Sequence, residues 1–372
     1  MSWYLFILGF LAVLAFCRAL AGKRNAAAAE KGILLAACAL LLFFMAFRAE
    51  SVGADTRQYT TAFEQIRNMS LGECLTKTVY GAGGNHAIGL EYGYRLYNWL
   101  LGQLFRHPQA VTAANSVLII FLLYRFIRLQ SRYALFCIWL YVTFGLFQTE
   151  MNMARNAIAI LWCLCASRYI EEKKPLLYAA NVLGAALFHQ TALFFLILYP
   201  LSGIRITARS FKYLILTAMA AGFGIFLVKP WLHLVIPERY ERYLYVTSPD
   251  TEGLVLGAFY FAVILAVLLM LRRENRSAAL EISPVGNWCF LMNVFSFCVS
   301  YTLIAATRAA ALFSPYFIVY IPQLLERGVR SESRKRFIAV CVTVFCGIVY
   351  VLRLTVNNIG GTMPYIFFWQ QP

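Results

Sequence analysis

The chain has 372 residues, of which 61% are hydrophobic and only 13% are charged. This composition excludes a soluble globular protein of the same length, which needs polar side chains over its whole surface. The net charge of +16 does not indicate nucleic acid binding, because most lysines and arginines occur in short clusters between apolar segments, where basic residues orient a membrane protein. We therefore predict an all-helical, polytopic integral membrane protein.

Apolar segments recur along the whole chain. Since about 20 apolar residues cross a bilayer, we expect about 12 transmembrane helices in one domain that covers residues 1–372. The first segment lacks preceding basic residues and a small-residue cleavage pattern, so we expect it to be retained. The predicted spans are residues 2–20, 31–47, 111–127, 133–147, 156–170, 176–188, 190–203, 211–228, 253–271, 286–306, 309–325 and 337–356.

The basic clusters predict the orientation, because short cytoplasmic loops are rich in Lys and Arg. They share one side only if residues 176–203 cross twice, as a helical hairpin that turns near His189. The apolar residues 88–104 must then form a re-entrant or interfacial helix that does not cross. Both termini lie outside, as do two external loops: residues 48–110, with amphipathic and re-entrant helices, and residues 229–252.

Ionisable residues at the edge of a span are costly to place there, so each is a candidate functional residue. Asp55 and Tyr59 lie four residues apart, on one helical face, in the loop after the second span. They could contact a substrate. Alternatively, Asp55 caps the amphipathic helix that follows, whose pattern continues to about Tyr80.

The apolar segment 88–104 begins with Glu91 and Arg95, which have the spacing of an ion pair within a helix. That pair could be purely structural. It could also contact the head group of a lipid-linked molecule, because it is expected at the outer interface beside a partly inserted helix.

Two arginines lie on the predicted outer side, where positive charge is disfavoured. Arg155, followed by Asn156, begins one span, and Arg308 separates two apolar segments. Snorkelling or a role in setting the topology could explain Arg155. A place in a short external turn could explain Arg308. The guanidinium, however, suits a phosphate group because its planar fork binds two oxygens at once and keeps its charge.

His189 stands with Gln190 between apolar residues. It could bond two packed helices, accept a proton, or contact a phosphate or a sugar, because imidazole takes either charge state near neutral pH. The C-terminal residues 357–372 are rich in aromatic side chains and fit an aromatic belt at the outer interface. No metal-ligand spacing and no glycine-rich nucleotide loop occurs in the sequence, so we expect no cofactor.

Five motifs occur one after another over roughly residues 50–325. Together, in this order, they resemble the EpsG family of bacterial membrane proteins. The members of that family are Wzy-like polymerases of exopolysaccharide, capsule and O-antigen. The chain departs from the commoner form at Tyr92 and Tyr94, where Pro and Phe are usual, and at Asn156, where Gln is usual. The motifs are Asp55-Thr56-x-x-Tyr59, Glu91-x-Gly93-Tyr94, Arg155-Asn156-Ala157-Ile158-Ala159, Phe188-His189-Gln190-Thr191-Ala192-Leu193, and Arg308 followed by Tyr316-Phe317.

The resemblance implies a metal-independent membrane glycosyltransferase with a C-type glycosyltransferase-like fold. Such an enzyme transfers a growing glycan from undecaprenyl pyrophosphate to another lipid-linked repeat unit, at the outer face of the cytoplasmic membrane. Its implied partners are the lipid-linked donor and acceptor, membrane lipids, and a flippase and chain-length regulator of the same pathway, with no nucleic acid.

The resemblance and the residue chemistry together divide the candidates into two groups. Arginines would stabilise the charge that develops on a pyrophosphate leaving group, and His189 or Glu91 would accept the proton of the attacking hydroxyl. The expected catalytic residues are Arg155, Arg308, His189 and Glu91. The expected substrate contacts are Asp55, Tyr59, Arg95, Asn156, Gln190 and Tyr316.

Other functions are also compatible with these residues. A flippase or transporter of lipid-linked glycans would be expected to show internal repeats and polar residues at mid-bilayer depth. A membrane acyltransferase also uses an embedded histidine and arginine, but it would need an acyl donor reached from inside. A ligase that moves a finished glycan is a variant of the polymerase.

Overall fold

The computed structural model describes residues 1–20, 26–84, 87–228, 231, 234, 251–270, 280, 283–300 and 312–370. Within these residues the regular structure is helical, and the only strand-like pairings are two isolated bridges, Arg48 with Phe367 and Tyr80 with Ala87. The prediction of an all-helical protein is confirmed. Arg308 and almost all of the predicted loop 229–252 lie outside the described residues.

The helices of the described residues are numbered here in chain order. The α-helices are α1 (Ser2–Leu20), α2 (Ala26–Ala46), α3 (Thr56–Ile66), α4 (Leu71–Thr76), α5 (Tyr92–Leu104), α6 (Gln109–Gln130), α7 (Ala134–Thr143), α8 (Leu146–Asn152), α9 (Ala154–Ala166), α10 (Arg168–Glu171), α11 (Pro175–Ala186), α12 (Leu198–Ser202), α13 (Ala208–Val228), α14 (Thr251–Met270), α15 (Pro284–Ser300), α16 (Phe317–Gly328) and α17 (Glu332–Val356). Short 3₁₀ helices cover Gln190–Ile197, Ser314–Tyr316, Ile359–Gly361 and Phe368–Gln370.

Among the described residues, 4 helices are long and apolar enough to cross a membrane, and a fifth span results if the bent pair α7 and α8 is counted as one. The 4 helices are Ser2–Leu20, Ala28–Ala46, Gln109–Gln130 and Glu332–Val356. Several other apolar helices are shorter, among them Pro175–Ala186 and Pro284–Val299. These helices indicate a multi-pass membrane protein, while the larger number of spans stays a prediction.

The chain forms two compact units, one of residues Met1–Leu196 with Cys346–Pro372 and the other of residues Ile197–Phe345. In the first unit, α6 packs against α2 and α9, and α9 packs against α11. Its core includes the fully buried Leu123 and Phe126. In the second unit, α15 packs against α13 and α14, around side chains such as Phe290.

Residues 48–110, which are predicted to be external, include a small core of their own. Ala62 and Ile66 from the buried face of α3 meet Cys74 of α4 and the neighbouring Val79. The expectation of one amphipathic helix as far as Tyr80 is wrong, because α3 ends at Ile66 and α4 begins at Leu71. The reason is a capping box, in which Ser70 and Glu73 bond each other's backbone N–H and start a new helix.

Two breaks in the first unit place Arg155 at the start of a helix. The axes of α7 and α8 differ by 63°, with Gly145 between them in the left-handed region at φ 78°, which glycine adopts without strain. Met153 then interrupts the helix between α8 and α9. Arg155 therefore lies in the first turn of α9.

The chain reverses direction after α11. The hydroxyl of Tyr178, in α11, donates a hydrogen bond of 2.6 Å to the carbonyl oxygen of Phe195. In one continuous helix these residues would lie about 25 Å apart. The predicted turn near His189 is thus present.

The C-terminal segment packs against the loop that leads into α3. Gly53 N donates to Gly361 O at 2.9 Å, and Ala54 N donates to Gly360 O at 3.3 Å. A Cβ atom on Gly360 would lie only 2.8 Å from the carbonyl oxygen of Gln148 in α8. This close packing joins the C-terminal segment to the backbone beside Asp55, a role that the aromatic composition of the segment did not predict.

Candidate functional site

Arg155 forms a largely buried ion pair with Glu91. Its Nη1 donates to Glu91 Oε2 at 2.6 Å and to the carbonyl oxygen of Gly89 at 3.1 Å. The side chains of the two residues are only 15% and 18% exposed. The contact joins the start of α9 to the start of α5, which are 64 residues apart in the chain.

Two tyrosine rings lie beside the same guanidinium group. The Cζ atom of Arg155 is 5.9 Å from the ring centroid of Tyr59 and 5.6 Å from that of Tyr94. Such cation–π contacts contribute about 0.5–2 kcal/mol each. Burial raises the pKa of the Tyr59 hydroxyl above its ordinary value, so the ring stays neutral. The rings and the carboxylate together restrict the orientation of Arg155.

The tip of the hairpin also reaches Glu91. Gln190 N donates to Glu91 Oε1 at 3.2 Å, and His189 Nδ1 lies 3.8 Å from the same oxygen. One carboxylate therefore contacts α9 through one oxygen and the hairpin through the other. We call Arg155, Glu91, His189, Tyr59 and Tyr94 the Arg155 cluster.

A glycine allows the hairpin to approach α5 so closely. Tyr94 N donates to Leu187 O at 3.0 Å, and a Cβ atom on Gly93 would lie 2.6 Å from the Cβ atom of Leu187. Any larger residue at position 93 would push the hairpin away from Glu91. The site geometry thus depends on the Glu-x-Gly-Tyr spacing.

A second connection between the hairpin and α9 runs through Thr191. Its hydroxyl donates to Asn156 Oδ1 at 2.9 Å and lies 3.0 Å from His189 Nδ1. Asn156 directly follows Arg155 in α9. Thr191 therefore links His189 to the helical turn that carries Arg155.

Asp55 lies at the start of α3, where its backbone N–H donates to Asn152 Oδ1 at 2.8 Å. Its side chain makes no capping hydrogen bond to α3, so capping does not account for this residue. Tyr59 N donates to Asp55 O at 3.2 Å, as expected for two residues on one helical face.

Three helices begin beside the Arg155 cluster. α3 starts at Thr56, α5 at Tyr92 and α9 at Ala154. The N-terminus of a helix carries a partial positive charge and unpaired backbone N–H groups, and both favour an anion. These helix starts place partial positive charges beside Arg155, whose own charge is partly offset by the carboxylate of Glu91.

One predicted site residue of the first unit, Arg95, does not join this cluster. The guanidinium group of Arg95 donates to Lys77 O, while Glu91 pairs with Arg155, so the expected Glu91 and Arg95 pair does not form. Tyr316 is buried in the second unit, in a short 3₁₀ helix before α16. Arg308 lies outside the described residues.

Sequence reasoning missed Arg48, which is only 1% exposed. Its Nη2 donates to Met151 O at 2.9 Å, and its Nη1 donates to Met45 O and contacts Ser116 Oγ. Burial lowers the pKa of Arg48 to about 10, so it remains charged at neutral pH. It holds the end of α8 just before Arg155. Arg48 follows a span on the predicted outer side, the same signal that identified Arg155.

Among the described residues, no group of three or more His, Cys, Asp or Glu side chains is placed to hold a metal ion.

A family model described as the EpsG family matches residues 31–367. Neither the curated proteins nor the solved structures contain a significant match. The family match covers most of the chain and confirms the resemblance drawn from the ordered motifs.

Proposed function

Because the chain belongs to the EpsG family, a family of Wzy-like polymerases, we propose that it is a membrane glycosyltransferase that lengthens a lipid-linked polysaccharide. Its substrates are a growing glycan on undecaprenyl pyrophosphate and a second lipid-linked repeat unit. The pathway is one of exopolysaccharide, capsule or O-antigen synthesis.

The observation that carries this proposal is the Arg155 cluster. Its central cation is largely buried, is held by Glu91 and lies in the first turn of α9. A pyrophosphate is the kind of group that such a cation and the adjacent helix starts would bind. The cluster also contains an imidazole, which can accept a proton.

The proposed reaction is a displacement at the anomeric carbon of the donor. A hydroxyl oxygen of the acceptor sugar forms a new bond to that carbon, and the bond from the carbon to the pyrophosphate oxygen breaks. The pyrophosphate leaves with the bonding electron pair, and the hydroxyl proton passes to a base. No oxidant, reductant or further substrate is needed.

Arg155 would stabilise the leaving group, because negative charge grows on the pyrophosphate as the anomeric bond breaks. A fixed cation that faces this charge lowers the barrier, and one such donor is worth about 100-fold or more in rate. Arg308 is proposed to act with it. Both arginines are expected to act on the transition state more than on binding.

His189 is the proposed base. Of the two candidates, Glu91 has one oxygen bonded to Arg155 and the other to the backbone N–H of Gln190. Its role is therefore to position the arginine. Proton transfer is therefore assigned to His189. A general base of this kind contributes about 100-fold or more to the reaction rate.

The substrate contacts are proposed in the same region. Asp55, Tyr59, Asn156 and Gln190 adjoin the Arg155 cluster and offer carboxylate, hydroxyl and amide groups that suit sugar hydroxyls. Arg95 remains a proposed contact because it begins an apolar segment expected at the outer interface, and Tyr316 remains one on the basis of the family motif.

The reaction is proposed to occur at the outer face of the cytoplasmic membrane. The positive-inside pattern of the basic clusters supports this orientation. A flippase would supply the repeat units there, and a chain-length regulator would limit the product.

The first prediction tests the site through Arg155→Ala. In a strain whose own copy is deleted, this variant should leave single lipid-linked repeat units unpolymerised, with chain growth reduced about 100-fold or more, because the leaving group loses its cation. Glycan length is measured by gel electrophoresis, and the protein level in the membrane by immunoblotting.

Arg57→Ala is the matched control, since Arg57 belongs to the same compact unit as Arg155 and its side chain is 70% exposed; it should keep wild-type chain lengths. Long chains in the Arg155→Ala strain would contradict the proposal. Loss of repeat units from the outer leaflet would instead favour a flippase, the alternative function.

A further inference from the structure

Thr191 touches both His189 and the helix that carries Arg155. Its Oγ1 lies 2.9 Å from Asn156 Oδ1 and 3.0 Å from His189 Nδ1. A hydroxyl has one proton to donate. Because Asn156 Oδ1 can only accept, that proton points to Asn156, and Oγ1 presents a lone pair to the imidazole.

This arrangement favours a proton on His189 Nδ1. The carboxylate of Glu91, 3.8 Å from Nδ1, favours the same position, because a negative charge attracts the protonated nitrogen. The backbone N–H of Thr191 donates a hydrogen bond of 3.3 Å to Nδ1, which favours the opposite tautomer. That contact is longer than the hydroxyl contact and lacks the support of a charge. A neutral ring with its proton on Nδ1 has its lone pair on Nε2.

We infer that Thr191 is a positioning residue for proton transfer. Anchored on Asn156, its hydroxyl fixes the orientation and tautomer of His189, so that Nε2 accepts the proton of the attacking sugar hydroxyl. The inference rests on the proposed function, since it assumes that His189 is the base. It adds a residue that acts through His189 without touching the substrate.

The test compares Thr191→Val with Thr191→Ser in the purified full-length protein. Lipid-linked repeat units extracted from the deletion strain serve as the substrate. Thr191→Val keeps the shape and removes the hydroxyl, so kcat should fall about 30-fold, within the range of base catalysis, with KM within about twofold of wild type. Thr191→Ser restores the hydroxyl and should retain at least about a third of the wild-type kcat.

Two further variants separate this inference from the proposed function. His189→Ala should lower kcat at least as far as Thr191→Val; if it polymerises normally, the assignment of the base is wrong. If His189→Ala is inactive and Thr191→Val is fully active, only the role of Thr191 is overturned. Equal losses in Thr191→Val and Thr191→Ser would also overturn it, because the hydroxyl would not be the cause.

Thr76→Val is the matched control, because Thr76 is exposed and its hydroxyl bonds only the local carbonyl of Gly72; its kcat should equal that of wild type. Size-exclusion profiles check that each variant is folded. Should Thr191→Val fail this check, Thr191→Ala removes the hydroxyl without adding a methyl group and is expected to show the same loss of kcat.

Discussion

Each of the two units contains a buried polar cluster, and the two clusters differ in charge. In the first unit, the Arg155 cluster contains a cation, a carboxylate and an imidazole. In the second unit, Tyr320 OH donates to Asn287 Oδ1 at 2.7 Å, and Asn287 Nδ2 donates to Leu280 O at 2.6 Å. We call Asn287 and Tyr320 the Asn287 cluster.

We expect this difference in charge to distinguish a functional site, the Arg155 cluster, from a structural contact, the Asn287 cluster. The Asn287 cluster consists of neutral groups that satisfy one another, which is how packed membrane helices commonly use polar side chains. Charged groups at the edge of a membrane are far more costly and are retained chiefly where they act. The comparison therefore predicts that changes in the first cluster affect the reaction, while changes in the second affect stability.

Among the variants that test this contrast between the two clusters, Glu91→Ala should have the largest effect. Without the carboxylate, Arg155 and the hairpin lose their shared contact, so chain growth should fall about 100-fold, the effect expected when a transition-state donor is misplaced. Glycan length and the rate of chain growth provide the measurement. Glu64→Ala, in the exposed part of α3, should behave as wild type.

The contrast between the two clusters would be wrong if the Glu91→Ala variant kept the wild-type rate of chain growth and lost only thermal stability. In that case the Arg155 cluster would be a structural ion pair, like many buried pairs in other proteins. An equal effect of Glu64→Ala would point to a general disturbance of residues 48–110.

The ionisable residues of this region could be predicted from the sequence, because an ionisable side chain at the edge of an apolar segment is a local signal. Glu91, Arg155 and His189 of the cluster, and the neighbouring Asp55, each stood out in this way. Their pairing could not be predicted, since Glu91 and Arg155 are 64 residues apart and the nearer Arg95 offered a partner at ideal helical spacing. Pairing depends on how the hairpin packs against α5, which Gly93 permits.

The helical class was likewise predictable from the apolar segments, but local breaks were less so. The capping box at Ser70 is visible in the sequence once its two residues are considered together. The role of the C-terminal segment was not, because Gly360 and Gly361 contact α8 and the loop before α3 only after the whole first unit has folded. The aromatic side chains of the same segment suggested a simpler role, that of an aromatic belt at the membrane interface.

A smaller effect is expected from Tyr320→Phe, and it should concern stability alone. Removing the hydroxyl leaves Asn287 Oδ1 without its donor, which in a membrane protein costs about 1 kcal/mol. The apparent unfolding temperature in detergent should fall by a few degrees. Chain growth per folded molecule should equal that of wild type, and a clear loss of rate would place the Asn287 cluster in the reaction.

The smallest effect should come from Arg95→Ala. The guanidinium group of Arg95 is directed to Lys77 O, so it supports the junction of α4 and α5 and is not held in the Arg155 cluster. Chain growth should fall less than about threefold, the size of a lost surface hydrogen bond. Measured beside Arg155→Ala, this variant compares two arginines of the same unit. If Arg95→Ala stops polymerisation as fully as Arg155→Ala, the substrate contact proposed for Arg95 is correct, and Arg95 must leave Lys77 when the substrate binds.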